Sequence, residues 1–410
     1  MVKTLFLIII VFIVFDFIIE QLLAYLNSTR FSEVLPEEVK GIYDEKEYIR
    51  SQQYLRLNNK FSILSDSVSF IILLAVLFFS GFGWLDHVVR QWSDNEIWQS
   101  LYFFGIIAFV SDIISTPFSV YHTFVIESKF GFNKTTLKTF VLDKIKGWII
   151  GIIIGGGLLA LIIFIFQSTG QWFWILAWGL ITLFSIFMSM FYSNLIVPLF
   201  NKQKPLEEGD LRTAIEEFSK KAGFKLKDIY VIDGSKRSAK ANAYFTGFGP
   251  KKRIVLYDTL IENHSIDELV AVLAHEIGHY KKKHILTGMA MGIVQTGIML
   301  FIFSIFISNP ILSQALGAAQ GSFHVGALAF GILYSPVMLI LEIATNAVSR
   351  KHEFAADRYA ALNFNKQSLK EALKKLSVKN LSNLRPHPSV VFVKYSHPPL
   401  LARLAAIDQA

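Results

Sequence analysis

Residues 267–284 read DELVAVLAHEIGHYKKKH, which sets His275, Glu276 and His279 in the order H-E-x-x-H. Side chains four apart share one face of a helix, so the two imidazoles can be aimed at one ion. Glu276, one position along, is turned toward a water on that ion, the place of a general base. Ser265 and Glu268 form an S-x-x-E capping box that starts the helix near Ile266, and Lys281, Lys282 and Lys283 stand at its carboxyl end, where positive charge favours the helix dipole. The motif therefore sits in a bounded helix, which strengthens it as a metal site.

The chain around that helix is built for a bilayer. Of its 410 residues, 53% are hydrophobic and 37 are Phe. No charged residue occurs in 147–166, in 172–200 or in 286–341. A crossing takes about 20 apolar residues, so the first two runs give one span each and the third gives two, with a turn near Pro310. Candidates near 4–26, 61–85 and 101–126 complete an expectation of seven transmembrane helices. The first is too long for a signal peptide, carries Asp16 and Glu20 and lacks a small-x-small cleavage site, so it is read as retained. Gly151 and Gly155 give a small-xxx-small spacing suited to helix packing.

The net charge of +8 is sorted by topology and gives no support for nucleic-acid binding. Loop 27–60 carries six basic residues and 128–146 carries five, whereas 86–99 carries one and 167–171 and 310–322 carry none. By the positive-inside rule the N-terminus lies outside and the polar stretches after residue 200 lie in the cytoplasm. Four segments follow: 1–200, five transmembrane helices with cytoplasmic loops; 201–285, a cytoplasmic catalytic insert; 286–349, two further spans; and 350–410, a C-terminal segment completing the metal site. Within the insert, LRTAIEEFSKKAGF reads as an amphipathic helix and DIYVID, ANAYFTGF and KRIVLYDTL as short strands. The fold class is mainly α, with a small α+β insert.

There is no cysteine, so any metal must be held by His and carboxylate. The extended pattern H-E-x-x-H-x-x-G-x-x-H fails, because Lys282 and Ile285 stand where Gly and His are required, and His284 falls on a different helix face. SRKHEFAADRYA (349–360) offers Glu353 and Asp357, four apart on one face. Glu353 would complete a His₂Glu set, Asp357 would orient a histidine or handle a proton, and His352 is the competing ligand. As plain surface charges these carboxylates would carry no chemistry. The spans also contain Asp16, Glu20, Asp66, Asp112, Asn194, Glu342 and Asn346, and polar groups at such depth face a protein interior or a wet cavity. Glu342, Asn346 and Glu353 trace one helical face toward the metal helix. Serine-hydrolase elbows and phosphate loops are missing from the sequence.

With these residues in view, the chain resembles the type I CAAX prenyl endoproteases, membrane-embedded zinc metallopeptidases. The resemblance rests on TPFSVYHTFVIESKFGFNKTT (116–136), VPLFNKQKPLEEGDL (197–211), ANAYFTGF (241–248), LAHEIGHYKKKH (273–284), SRKHEFAAD (349–357) and SHPPLLARLAAI (396–407). It implies one zinc per chain on His275, His279 and Glu353, Glu276 as base, Asp357 as the acid beside the third ligand, His397 near the metal stabilising an oxyanion, and Asn242 holding substrate backbone beside an edge strand. It also implies seven helices enclosing a chamber with the site at its cytoplasmic end. Peptide or protein substrates, prenylated or membrane-tethered, would arrive through the lipid. The expected function is an integral membrane zinc metalloendopeptidase of CAAX-processing type, in a bacterial inner membrane or the endoplasmic reticulum. A broad quality-control endopeptidase is the alternative, and a catalytically dead transporter or scaffold the third reading.

Overall fold

The computed structural model describes residues 1–224, 228–246 and 253–410. Gly247, Phe248 and Lys252, the ends of two expected strands, lie outside the described residues. Among the described residues, six helical stretches are long and apolar enough to cross a bilayer: Val2–Ser28, Glu45–Phe78, Glu96–Glu127, Leu137–Phe200, His284–Phe306 and Phe323–Asn363. The fourth, 64 residues long, doubles back at Gly170, whose φ of 53° suits a residue without Cβ. Phe166 on one arm meets Phe173 on the other with ring centroids 5.3 Å apart. Its two arms bring the transmembrane helices to the expected seven.

Polar side chains set the starts of these helices. Asp44, Asn95 and Thr136 each accept a backbone N–H in the first turn of the helix that follows. The helix expected at 61–85 begins far earlier, at Glu45, so Lys46, Arg50, Arg56 and Lys60 ride on its first turns. It ends before Ser80, which is left-handed at φ 52°, and a separate short helix, Gly81–Trp92, follows. A Cβ on Gly83 would lie 2.1 Å from the Gly317 carbonyl oxygen, so the short helix lies flush against that loop. Its Asp86 Oδ1 is 2.8 Å from His324 Nε2, and His324 Nδ1 is 3.0 Å from Ser100 Oγ, all three residues being buried.

Only 6–17% of the residues in the span windows are buried within the chain, and a cavity of about 910 Å³ opens between the helices Glu45–Phe78, Gly81–Trp92 and Glu96–Glu127, lined by Ser65, Leu73, Leu85, Ile107, Ser111 and His122. Several intramembrane polar groups bridge elements of this frame. Asp112 accepts from Lys144 Nζ at 2.7 Å and from Trp148 Nε1 at 3.1 Å. Asn346 donates to the Val393 carbonyl at 2.8 Å, and Lys394 reaches Glu20 at 2.5 Å and Glu342 at 3.9 Å. Glu342 and Asn346 thus tie the long helix to Pro388–Lys394. The Gly151–Gly155 packing expectation is corrected: these glycines lie in a π-helical turn, and nothing comes within 4 Å of where their Cβ atoms would be.

The insert holds a four-stranded sheet, β1 Gln203–Pro205, β2 Asp228–Ile232, β3 Ala243–Thr246 and β4 Arg253–Tyr257, in the order β1-β2-β4-β3. β2 and β4 are parallel, the outer pairs are antiparallel, and β3 is an edge. The amphipathic helix Asp210–Lys221 buries Ile215 and Phe218 in the same core as Ile229, Ile254, Leu256, Leu269, Leu273 and Ile277. That core is the platform beneath the helix Ile266–Lys281.

Both halves of the expected capping box are present: Ser265 Oγ accepts from the Glu268 N–H, and Glu268 Oε2 accepts from the Ser265 N–H at 2.8 Å. Lys375 Nζ lies 2.7 Å from Glu268 Oε1. Burial works to raise the pKa of Glu268, but Lys375 and the Ser265 N–H outweigh it and hold the carboxyl below its ordinary 4.5. Its contribution is therefore complete above pH 4.5 and disappears as pH falls through the depressed folded value. Glu268→Gln keeps the capping-box acceptor but removes the ion pair with Lys375, so it is expected to cost about 0.2–1 kcal/mol at neutral pH, with the gap in melting temperature from wild type closing as pH falls below 4.5. A gap that does not change between pH 7 and pH 3 would refute this account.

Candidate active site

The metal helix Ile266–Lys281 crosses the long helix Phe323–Asn363 at Gly278, the second of the two residues between Glu276 and His279. A Cβ on Gly278 would lie 3.1 Å from the Ala356 Cα and carbonyl oxygen and from Tyr359 Cβ. Ala356, opposite, is fully buried. Two small residues thus let the backbones close up, and Glu353, one turn before Ala356, comes to rest beneath the two histidines. The long helix passes unbroken through residue 350, so the last span and the candidate third ligand belong to one rod.

His275 Nε2 and His279 Nε2 are 3.0 Å apart, and Glu353 lies 3.5 Å from the first through Oε2 and 3.2 Å from the second through Oε1. Among the described residues these three form the group able to hold a metal ion, with one donor atom from each within 4.8 Å of the others. The arrangement fits zinc. Bonds of about 2.0–2.1 Å at tetrahedral angles separate donors by about 3.3 Å, inside the observed spread. Glu353 Oε2 is buried without a hydrogen-bond partner, an oxygen that a cation would satisfy.

Behind the cluster lies a buried ionic frame. Asp357, 1% exposed, has Oδ1 2.8 Å from His275 Nδ1 and receives a forked pair of bonds from Arg403, Nε to Oδ2 at 2.8 Å and Nη2 to Oδ1 at 2.7 Å. Arg403 Nη2 also stands 3.6 Å from Glu353 Oε2. Burial opposes a charged guanidinium, but Asp357 and Glu353 more than offset it and raise its pKa. Burial likewise opposes a charged His275, yet the Asp357 and Glu353 carboxylates hold it up at about 9, a proton that a bound cation would displace. Burial raises the Glu276 carboxyl above its usual range against the pull of His275 and His279, which suits a group that takes up a proton.

The remaining residues fall around this centre. His397 Nε2 is 3.4 Å from Glu353 Oε1, with its ring 64% exposed. Asn242 immediately precedes edge strand β3; its Oδ1 accepts the Ala243 N–H at 2.9 Å. His352, the competing ligand, is outside the cluster: its ring stacks on His284 with centroids 3.9 Å apart and planes 6° from parallel. His284 departs from expectation. The helix has ended, Lys283 is left-handed at φ 59°, and the turn returns His284 Nδ1 to 3.0 Å from His279 Nδ1. Arg403 was not singled out from the sequence. Its signal is a lone cation one residue from Leu404 and three from Leu400, on the face that buries both.

Residues 24–202 match the profile of the CAAX prenyl protease N-terminal domain, described as five membrane helices, and residues 205–410 match peptidase family M48. The chain belongs to peptidase family M48. This M48 protein is 36% identical to the "CAAX prenyl protease 1 homolog" of Oryza sativa subsp. japonica, over 92% of its own length and 90% of the relative's. To "CAAX prenyl protease 1" of Saccharomyces cerevisiae it is 35% identical over 97% and 94%. The crystal structure of S. mikatae Ste24p superposes with a TM-score of 0.94 at 34% identity, covering 98% of this chain and 99% of that one. The M48 chain is thus a multi-pass integral membrane protein of a metallopeptidase family.

Two substitutions test how this M48 site is held. Gly278→Leu forces the crossing helices apart, and overpacking of this kind costs about 1–3 kcal/mol; metal content measured after purification should fall together with melting temperature. Arg403→Met removes the forked partner of buried Asp357 and leaves it with His275, a loss of about 3–5 kcal/mol, and adding Asp357→Leu should restore part of it. Unchanged thermal stability in Arg403→Met would remove the ion pair from this account.

Proposed function

We propose that this protein is a zinc endopeptidase that cleaves near the C-terminus of prenylated, CAAX-type substrates at the cytoplasmic face of its membrane. The observation that carries the reading is the His275–His279–Glu353 cluster with Glu276 beside it, where the insert helix meets the long helix of the last span. The names of the relatives from rice and yeast support the substrate class.

In this reading His275, His279 and Glu353 hold the ion. Bound zinc lowers the pKa of water and polarises the scissile carbonyl. Glu276 takes the proton of the attacking water and delivers it to the leaving amine, a task favoured by its raised pKa. His397, 3.4 Å from Glu353 and open to solvent, donates to the developing oxyanion. Asp357, clamped by Arg403, fixes the ring of His275. Asn242 and the unpaired side of β3 receive the peptide backbone as an added strand. Open space among the spans gives a lipid-modified chain a lateral route, so the bilayer delivers the substrate.

The test is mass-spectrometric mapping of cleavage by the detergent-purified protein, with matched farnesylated and unmodified CAAX peptides. Release of the three terminal residues from the farnesylated peptide alone is expected. Equal cutting of both would turn the assignment to general membrane-protein turnover. Glu276→Ala should abolish cleavage with zinc still bound, and Glu353→Ala should lower zinc content; full zinc occupancy in the latter would dismiss Glu353 as a ligand.

A further inference from the structure

We propose that His284 is the positioning residue for His279, accepting the N–H at Nδ1 so that Nε2 keeps its lone pair for the ion. The inference rests on the zinc reading above and adds a residue to it. A neutral imidazole carries one proton, on one of its two nitrogens. His279 Nε2 faces His275 Nε2 at 3.0 Å and Glu353 Oε1 at 3.2 Å. The proton of a metal-binding His279 therefore sits on Nδ1, and that atom lies 3.0 Å from His284 Nδ1. Donation in this direction leaves the proton of His284 on its own Nε2.

The neighbourhood holds His284 to this task. The residue is buried, the left-handed Lys283 aims it back at the metal helix, and the parallel ring of His352 at 3.9 Å fixes its plane. The two ligand histidines are thus secured by different chemistry. His275 faces a carboxylate, Asp357, at 2.8 Å, and His279 faces a neutral ring. A carboxylate on both sides would add another negative charge beside Glu353. An imidazole sets the tautomer without adding one.

Outer hydrogen bonds of this kind are worth about 10–100-fold in metal affinity. The experiment is zinc competition against a chromophoric chelator, on full-length detergent-purified wild type, His284→Phe and His284→Asn, with the melting temperature of each zinc-free protein measured in parallel. Phenylalanine keeps the stack on His352 and removes the acceptor; asparagine offers Oδ1 in place of Nδ1. His284→Phe should weaken zinc binding within that range, and His284→Asn should recover most of the loss. Wild-type affinity in His284→Phe, or an equal loss in both variants, would overturn the proposal. A wild-type chain that binds no zinc would overturn the zinc reading and this one with it, and the wild-type titration alone tells that case apart. If His284→Phe fails to fold, nitrogen-15 spectra of histidine-labelled wild type with zinc decide: a proton on Nδ1 of His279 supports the assignment, and metal on Nδ1 overturns it.

Discussion

Everything at the candidate site depends on how closely two helices can approach. Gly278 and Ala356 remove side-chain bulk at the crossing of the metal helix and the long helix. With backbones nearly touching, a carboxylate on one helix reaches imidazoles on the other without stretching. Helices in proteins usually stand 8–10 Å apart, a distance set by the side chains at the contact. A bulkier residue here would widen the gap and separate Glu353 from both histidines at once. The spacing of the proposed ligand set is thus decided by a residue that bears no ligand atom.

Closeness creates an electrostatic difficulty that the fold answers locally. Glu353, Asp357 and Arg403 are largely shielded from water, and burying charges is costly unless they are paired and hydrogen-bonded. Arg403 meets Asp357 through both oxygens, which suits the planar fork of guanidinium. The same carboxylate faces His275, so one ion pair steadies that ring and the surroundings of Glu353 together. At the far end of the long helix, Asp86, His324 and Ser100 make another buried polar knot. The 29 residue steps from His324 to Glu353 span roughly 44 Å at 1.5 Å each, so one rod is held at both ends by buried polar groups.

The parts of this design written in local pattern were legible in the sequence. The H-E-x-x-H helix announces both its boundaries, through Ser265–Glu268 and the lysine run, and charge-free runs of known length give the spans. Residues whose meaning depends on a turn or a distant partner were not. His284 falls on the wrong face if the helix is simply continued, and only the left-handed Lys283 returns it to His279. Glu342 and Asn346 share spacing with Glu353, but spacing does not reveal that Lys394 and the Val393 carbonyl are their partners. Gly151 and Gly155 have the spacing of a packing motif and no neighbour to pack against. Arg403 needed the tertiary contact to single it out from the apolar helix around it.

Lys394 gathers Glu20 and Glu342, joining the first membrane helix to the last across 374 residues of sequence. Such a clasp cannot close while the chain is still emerging. During synthesis the first helix can pack on the second, with Phe17 stacked on Phe70 at 4.0 Å, but its tie to the last span must wait until every later span has been made. Glu353, Asp357 and Arg403 are also made long after His275 and His279. On the proposed site, the nascent polypeptide would therefore be chemically silent for most of its translation, and a membrane protease built in this order would be armed only after its own insertion is done.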